Sequence, residues 1–314
     1  MLWPHLLVYL VSFIGIWIGS GIAVKSVEKL ARYLKLSSFI VSFIILGLFT
    51  SIGELSVGIN ALISGDPEIY VGSLIGASIV LFMLIAPLLA VVGNSVHINH
   101  EFRGFNLLAS LVVVVLPAIL VMDGKIDQTD SIVAMVAFFF LLISLQSRRG
   151  FLEKIKNLGS KGGIKVGKEI LKTLFGVIII FIASKFVVNQ TVYFSDLLGV
   201  SPFLISLLLI SIGTNIPELS LIVRSFFMKN YQVAFGNYVG SAVFNTFLLG
   251  ILTLIHGRPV FLSNSYTISL LFLIVGLLLF YRFARTKNTL SRQEGLILLA
   301  VYLIFILTEI YLHL

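Results

Sequence analysis

Long apolar stretches alternate with short polar connections along almost the whole chain. Ten apolar segments of roughly membrane-spanning length can be drawn, and we number them spans 1 to 10. They lie near residues 6–24, 38–63, 69–92, 105–122, 131–146, 170–188, 201–226, 232–255, 265–283 and 294–312. The runs are continuously apolar rather than alternating, which favours helices over a β-barrel. The pattern therefore predicts an all-α polytopic membrane protein with ten transmembrane helices.

Composition supports this prediction and excludes sites that need cysteine. Hydrophobic residues make up 58% of the chain and charged residues 11%, whereas a soluble chain has about 25% charged residues. The chain contains no cysteine, which excludes a disulfide or a thiolate metal site. Residues 1–24 lack an early basic region and a small-residue cleavage site, so we interpret them as the first span rather than a signal peptide.

The basic residues predict how the chain is oriented in the membrane. If the N-terminus is outside, all but three of the 22 Lys and Arg residues fall on the inner side, the exceptions being Lys125, Lys185 and Arg258. Because basic residues accumulate on the cytoplasmic side, we expect a multi-pass protein of the cell (plasma) membrane with both termini extracellular. The net charge of +8 then reflects topology and attraction to anionic lipid, and no nucleic-acid partner is expected.

One motif occurs twice, in spans 2 and 7. Residues 50–56, Thr-Ser-Ile-Gly-Glu-Leu-Ser, return as residues 214–220, Thr-Asn-Ile-Pro-Glu-Leu-Ser. At the same offset of 164 residues (214 minus 50), the Gly residues of span 3 at positions 72 and 76 recur in span 8 at positions 236 and 240. This recurrence indicates that the chain is an internal duplication.

The duplication predicts two inverted five-helix repeats, residues 1–146 and 170–314, joined by a basic cytoplasmic linker at 147–169. Each half has an odd number of spans, so the second half starts from the opposite face of the membrane. Inverted repeats are typical of secondary transporters, in which the substrate site lies near the middle of the bilayer.

Two acidic residues lie deep inside apolar runs, Glu54 in span 2 and Glu218 in span 7. A charged side chain at that depth is energetically costly, which favours a functional role. Thr50 and Thr214 precede them by four residues, and a continuous helix would place each Thr on the same face as the Glu that follows it. Two further acids of span 10, Glu294 and Glu309, are predicted to reach the membrane interfaces.

The residues next to these glutamates suggest a cation site. Gly53 and Pro217 disturb helices and can free backbone carbonyl groups. Carboxylates, hydroxyls and carbonyls form an all-oxygen shell, which suits Ca²⁺ better than a transition metal. When the divalent ion leaves, the neighbouring carboxylates repel each other and take up protons or monovalent cations. In span 8, Ser241 and Asn245 lie four residues apart and add neutral oxygen ligands.

These motifs resemble those of a known family. Residues 213–219 and 236–241 resemble the second α-repeat of the calcium/cation antiporter superfamily, and the first set resembles its partner repeat. The similarity is to prokaryotic sodium/calcium exchangers and covers the whole chain. It implies α-repeats at 39–82 and 203–246, and alternating access by sliding of spans 1 and 6 across the other eight. The resemblance also implies site residues: Glu54, Glu218, Thr50 and Thr214 for Ca²⁺, with Ser51, Ser241 and Asn245 for sodium.

The first repeat departs from the family pattern at three positions. Gly53 stands where the family usually has Pro, Ala77 stands at the position that matches Ser241, and Leu81 stands at the position that matches Asn245. The first repeat therefore lacks two polar groups that the second has. These departures leave the Ca²⁺ ligands in place but put a full set of three sodium sites in question, and they leave proton coupling or another sodium stoichiometry open.

The sequence thus predicts a secondary active antiporter that exchanges Ca²⁺ for Na⁺. A Ca²⁺/H⁺ or other cation/H⁺ exchanger with the same carboxylates is the alternative, and a cation channel is a remote one. An enzyme is not expected, because no span has a paired nucleophile and base, and His97 and His100 lack the further ligands of a zinc site. We expect no cofactor, the transported ions and the lipid bilayer as partners, and a chain that can act as a monomer.

Overall fold

The computed structural model describes residues 2–33, 40–93, 95–97, 105–146, 163–227, 231–262, 267–287 and 289–313. Helices make up almost all of this part of the chain, which confirms the predicted all-helical class. Most of the predicted linker at 147–169 lies outside the described residues, as does His100.

The first half contains spans 1 to 5. Its helices are α1 Leu2–Tyr33 in span 1, α2 Gly47–Thr50 and α3 Ile52–Ser64 in span 2, α4 Glu68–Ile79 and α5 Ala86–Val92 in span 3, α6 Phe105–Leu120 in span 4 and α7 Gln128–Gln146 in span 5. A π-helical segment, Ile40–Leu46, precedes α2, and another, Val80–Ile85, joins α4 to α5.

The second half contains spans 6 to 10. Its helices are α8 Gly163–Leu198 in span 6, α9 Pro202–Ile205, α10 Ser211–Thr214 and α11 Ile216–Phe227 in span 7, α12 Tyr231–His256 in span 8, α13 Thr267–Lys287 in span 9 and α14 Arg292–His313 in span 10. A π-helical segment, Ser206–Ile210, joins α9 to α10. Within the described ranges, nine helical stretches are long and apolar enough to cross a membrane, and α6 is a shorter apolar helix.

Two short antiparallel ladders tie the connections together. β1, Ser95–His97, pairs with β4, Thr289–Ser291, and β2, Lys125–Ile126, pairs with β3, Val260–Phe261. Two connections whose strands pair with each other must lie on the same side of the membrane. Each ladder joins two connections that the Lys and Arg distribution assigns to one side, so the ladders agree with the predicted alternation of the spans.

Spans 3 and 8 form the centre of the molecule, and the apolar side chains of the peripheral spans face outward. Tyr238 of span 8 is fully buried and meets Phe82 of span 3 edge-to-face at 5.8 Å between ring centroids. Phe82 in turn contacts Phe280 of span 9 at 5.0 Å. Many large apolar side chains of spans 1, 5, 6 and 10 are exposed, as a lipid-facing surface requires.

Spans 1 and 6 pack closely along their length. A Cβ atom on Gly19 would lie 2.7 Å from the carbonyl oxygen of Gly176, so the two backbones are in contact. At the other end of this pair, Glu169 of span 6 lies 3.0 Å from Lys172 and 3.9 Å from Lys29 of span 1. Close backbone contact at small residues thus joins these two long helices, with one ion pair between Glu169 and Lys29.

The duplication is visible in the backbone. The helices of spans 2 and 7 stop at equivalent residues, Thr50 and Thr214, and each follows a π-helical segment. A Cβ atom on Gly240 would overlap the carbonyl oxygen of Phe43, and one on Gly76 would overlap that of Leu207. Both contacts join equivalent positions, so span 2 packs on span 8 in the same way as span 7 packs on span 3.

Candidate cation-binding site

Spans 2 and 7 are each interrupted in the middle, next to the two deep glutamates. Ser51 (φ −75°, ψ 6°) and Asn215 (φ −86°, ψ 4°) leave the helical conformation, and a new helix starts at the following residue. Glu54 and Glu218 therefore lie in the first turn of α3 and α11. The predicted disturbance of both helices is confirmed. A helix N-terminus has partial positive charge, which stabilises a carboxylate in its first turn.

Both glutamates are buried, with exposed fractions of 1% for Glu54 and 0% for Glu218. Two other acids are buried among the described side chains, Glu169 and Glu309. Glu309 lies in the last turns of span 10, and its carboxylate accepts a hydrogen bond from Ser269 of span 9 instead of facing outward. The last turns of span 10 pack against span 9, and this packing covers the carboxylate.

The structure brings the two glutamates and the two threonines to one place. The carboxyl groups of Glu54 and Glu218 are close enough to interact electrostatically. Thr214 approaches Glu54, and Thr50 approaches Glu218, in both cases short of a hydrogen bond. Each carboxylate thus faces the Thr of the other repeat. The Thr side chains are anchored on their own helices, Thr50 to the carbonyl of Leu46 at 2.9 Å and Thr214 similarly.

A hydroxyl network surrounds Glu218. Ser241 Oγ donates to Glu218 Oε1 at 2.8 Å. Ser241 Oγ also lies 2.9 Å from Ser51 Oγ and 3.1 Å from Thr50 Oγ1. Thr50 and Ser51 of span 2 therefore contact the hydroxyl of Ser241 in span 8, and this hydroxyl bonds the carboxylate of span 7. Ser51 also donates to the carbonyl of Gly47 at 2.9 Å, which fixes its orientation.

No such network forms around Glu54. Ala77 occupies the position equivalent to Ser241 and has no hydroxyl to donate. Neither carboxyl oxygen of Glu54 has a hydrogen-bond partner among the described residues, although both are buried. Leu81, at the position equivalent to Asn245, is fully buried and apolar. The departures noted in the sequence thus have a direct structural consequence on the side of the first repeat.

Several buried amides around the glutamates also lack partners in the described part of the chain. Asn245, predicted as a ligand, has neither side-chain atom bonded, and Asn215 Oδ1, Asn237 Nδ2 and Glu218 Oε2 are likewise unpaired. An unsatisfied buried polar group costs about 1–3 kcal/mol. The unpaired oxygens among these atoms are available as ligands for a cation. Sequence reasoning missed Asn215 and Asn237, although the polar residues at equivalent positions of the first repeat, Ser51 and Ser73, could have pointed to them.

The chemistry of this shell suits a hard cation. Its groups are carboxylates, hydroxyls and carboxamides, and the described residues contain no group of three or more His, Cys, Asp or Glu that could hold a metal ion. Oxygen ligands of this kind are typical of Ca²⁺ sites, while neutral hydroxyls and amides leave the total charge low. The two carboxylates carry the charge that balances one divalent ion or two monovalent ions.

A small cavity lies between span 1 and the second helix of span 7. Its volume is about 80 Å³, and its lining includes Trp17, Ser20 and Pro217, the residue directly before Glu218. Trp17 Nε1 donates to Ser220 Oγ at 2.7 Å across this cavity. The hydroxyl of Ser20 is buried and has no partner within the described ranges. The cavity therefore reaches the residue that precedes Glu218 in the sequence, and its lining also includes Lys25.

Comparison with known families identifies both halves of the chain. The family model described as sodium/calcium exchanger protein matches residues 4–146 and again residues 169–311. Each match covers one of the predicted five-span halves.

Individual relatives agree with this match. The sodium/calcium exchanger MaX1 of Methanosarcina acetivorans is 24% identical over 99% of this chain and 100% of its own length. The inner membrane protein YrbG of Escherichia coli is 27% identical over 81% of each chain. A structure of the sodium-calcium exchanger NCX_Mj aligns with a TM-score of 0.70 at 22% identity, covering 98% of both chains. At that identity, the structural match establishes the fold.

Proposed function

This chain belongs to the sodium/calcium exchanger protein family, and we propose that it is a secondary active antiporter that exchanges Ca²⁺ for Na⁺. The relatives named sodium/calcium exchanger support this proposal, because the similarity extends over the whole chain. The observation on which it depends is the pair of buried carboxylates, Glu54 and Glu218, on two interrupted helices. Three of their four carboxyl oxygens have no hydrogen-bond partner in the described part of the chain, so these oxygens are available to a cation.

The residues have distinct proposed roles in binding. Glu54 and Glu218 coordinate Ca²⁺ directly, and Thr50 and Thr214 approach it from the opposite repeats. Sodium binds at the same carboxylates with help from Ser51, Ser241 and Asn245. Since both ions need the same two charges, they exclude each other, and this exclusion couples their movements.

Transport requires that the shell opens to one side of the membrane at a time. We propose that spans 1 and 6, held together by their close packing, move as one unit against the other eight. The cavity next to Pro217 lies between span 1 and span 7, where such a movement would change its size. The two halves, 1–146 and 170–314, then act as the inverted repeats, with the linker 147–169 on the cytoplasmic side.

The setting of this activity follows from the orientation of the spans. We propose that the protein acts in the cell membrane with both termini extracellular, as the distribution of Lys and Arg predicts. It needs no cofactor beyond the transported ions.

Flux measurements in proteoliposomes test the proposal. An outward Na⁺ gradient should drive Ca²⁺ uptake, and an imposed proton gradient without Na⁺ should not. Replacing either acid, Glu54→Gln or Glu218→Gln, should abolish uptake because the charge that binds Ca²⁺ is lost. Glu294→Gln is a matched control, since Glu294 hydrogen-bonds Ser291 at the start of span 10. Full Na⁺-driven uptake by Glu54→Gln or Glu218→Gln would refute the proposed site.

A further inference from the structure

One buried polar side chain on the second helix of span 2 does not belong to the shell. Asn60 follows Glu54 by six residues and has an exposed fraction of 3%. Its Nδ2 donates to Ser184 Oγ of span 6 at 2.8 Å and to the carbonyl of Phe181 at 3.2 Å. Ser184 Oγ in turn donates to that carbonyl at 3.0 Å. Asn60 therefore joins the second helix of span 2 to the middle of span 6.

Apolar side chains close the space around this contact. Val57 and Ala61 follow Glu54 by three and seven residues, so they lie on the same face of the helix as Glu54. Both are fully buried, and they belong to one apolar cluster with Val187 of span 6. The helix face that leads from Glu54 to the predicted outer connection at 65–67 is therefore covered.

The equivalent place in the other repeat is a cavity. The offset of 164 residues (184 minus 20) pairs residues 180–184, Ile-Phe-Ile-Ala-Ser, with residues 16–20, Ile-Trp-Ile-Gly-Ser, so Ser20 of span 1 corresponds to Ser184. Ser20 Oγ is buried without a partner among the described residues, and Ser20 lines the cavity of about 80 Å³ beside Pro217. A cavity on this side thus corresponds to a closed contact on the other.

The side chains that meet across this cavity are less protected from their surroundings. Trp17, the counterpart of Phe181, is 46% exposed, and its hydrogen bond to Ser220 is exposed as well. The hydrogen bond between Asn60 and Ser184 is buried. Two places with similar sequences therefore differ in structure, one being closed and the other open.

We propose that Asn60 is a positioning residue of the transport cycle, an inference that rests on the proposed exchange by alternating access. Asn60 holds span 6 on span 2 and closes the path from the outer side to Glu54, while the path from the inner side runs through the cavity beside Pro217. Inverted repeats open to the two sides of the membrane in turn. A contact that is made in one repeat and open at the equivalent place of the other therefore marks the closed side.

Two cysteine reporters test this assignment, because the natural chain has no cysteine. Val57→Cys lies under the closed contact and Ser20→Cys lines the cavity. The rate of labelling by a membrane-impermeant thiol reagent is measured for each in vesicles of both orientations. Adding Asn60→Ala should raise the rate at Val57→Cys from the outer side roughly tenfold, because buried hydrogen bonds are lost. It should lower the rate at Ser20→Cys from the inner side, because fewer molecules are then open to that side.

Two further substitutions in span 6 form a matched pair. Ser184→Ala removes only the hydroxyl that Asn60 contacts, and it should change both rates in the same directions as Asn60→Ala. Thr191 is equally buried, but its hydroxyl lies 3.0 Å from that of Tyr9 in span 1 and not against span 2. Thr191→Ala should therefore leave both rates unchanged.

Each outcome has a separate meaning. Opposite changes at the two reporters support the inference. Rates that rise at both reporters show a general loosening of the structure and overturn it, and unchanged rates overturn it as well. Either result leaves the proposed exchange standing if the cysteine-free protein shows Na⁺-driven Ca²⁺ uptake. Absence of that uptake refutes the exchange itself, and the inference with it.

Discussion

At the scale of single residues, the hydroxyl of Ser241 makes the surroundings of Glu218 different from those of Glu54. Ser241 bonds Glu218 and lies next to Ser51, whereas Ala77 at the equivalent position leaves Glu54 without a partner. Because a hydrogen bond to a charged group contributes about 1.5–3 kcal/mol, this difference makes the two carboxylates unequal. Glu218 is held in one orientation by this hydrogen bond, and no described side chain holds Glu54 in the same way.

Removing this hydroxyl should weaken sodium binding. In Ser241→Ala, the apparent affinity for Na⁺ should fall roughly tenfold to a hundredfold, because 1.4 kcal/mol corresponds to a factor of ten. The measurement is the Na⁺ concentration that gives half-maximal Ca²⁺ flux in proteoliposomes.

Ser78→Ala is the matched control for this substitution. Ser78 is equally buried in span 3, but its hydroxyl bonds only the carbonyl of Leu74 in its own helix. Its Na⁺ dependence should stay close to that of the unchanged protein. Equal effects of the two substitutions would show that the Ser241 hydroxyl has no special role in binding.

At the scale of elements, the shell depends on interrupted helices that pack against glycine residues of the neighbouring spans. In spans 2 and 7 one helix ends just before Ser51 or Asn215 and a second helix begins just after it. Glu54 and Glu218 therefore lie at helix N-termini. Spans 3 and 8 then approach the interrupted spans so closely that only Gly fits at the contacts. Close approach of backbones is the common way for helices to associate in a membrane, where no hydrophobic force acts between them.

Adding a methyl group at these contacts should destabilise the fold. In Gly240→Ala and Gly76→Ala, the new Cβ atom would overlap the carbonyl of Phe43 or of Leu207. Such overpacking typically costs about 1–3 kcal/mol. Thermal unfolding of the purified protein in detergent should show a lower midpoint for both variants.

Gly167→Ala provides the comparison. Gly167 lies in the helix of span 6, and a Cβ atom there would meet nothing within 4 Å. Its midpoint should be unchanged or higher, since Ala is favoured over Gly in a helix by up to about 1 kcal/mol. If all three variants unfold at the same temperature, the close contacts of spans 3 and 8 are not important for stability.

At the scale of the whole molecule, the duplication of the chain and the reversed orientation of its second half together set the positions of the two glutamates. An odd number of spans in each half reverses the second copy, so that the two glutamates approach the same depth from opposite sides. The β1–β4 and β2–β3 ladders join connections that must share a side, in agreement with the alternation of the spans. The ladders fix which connections lie together, and the basic residues predict which side is the cytoplasm.

Labelling of single cysteines tests that orientation, because the natural chain has none. A membrane-impermeant thiol reagent should label Lys125→Cys and Leu312→Cys in intact cells, and Ser160→Cys only after the membrane is opened. Lys125 lies in a predicted outer connection and Ser160 in the predicted cytoplasmic linker. The reverse pattern of labelling would mean that the termini are cytoplasmic.

Much of the fold could be predicted because it depends on local properties of the chain. Apolar runs of membrane length gave ten spans, since backbone polar groups in lipid must be satisfied within a helix. The repeated Thr-x-Ile-x-Glu-Leu-Ser pattern revealed the duplication, and the apolar residues around Glu54 and Glu218 revealed their depth. The missing polar groups at Ala77 and Leu81 were also visible from the alignment of the two halves.

The sequence by itself therefore determined the spans, the duplication, the depth of the two glutamates and the lack of polar groups in the first repeat. Only the tertiary structure decided which side chains meet. It brought each glutamate near the Thr of the other repeat, placed Ser241 between span 2 and Glu218, and buried Glu309 against Ser269. The physical reason is that hydrophobic patterns report the average surroundings of a helix face. Contacts between particular polar atoms depend instead on how interrupted helices cross.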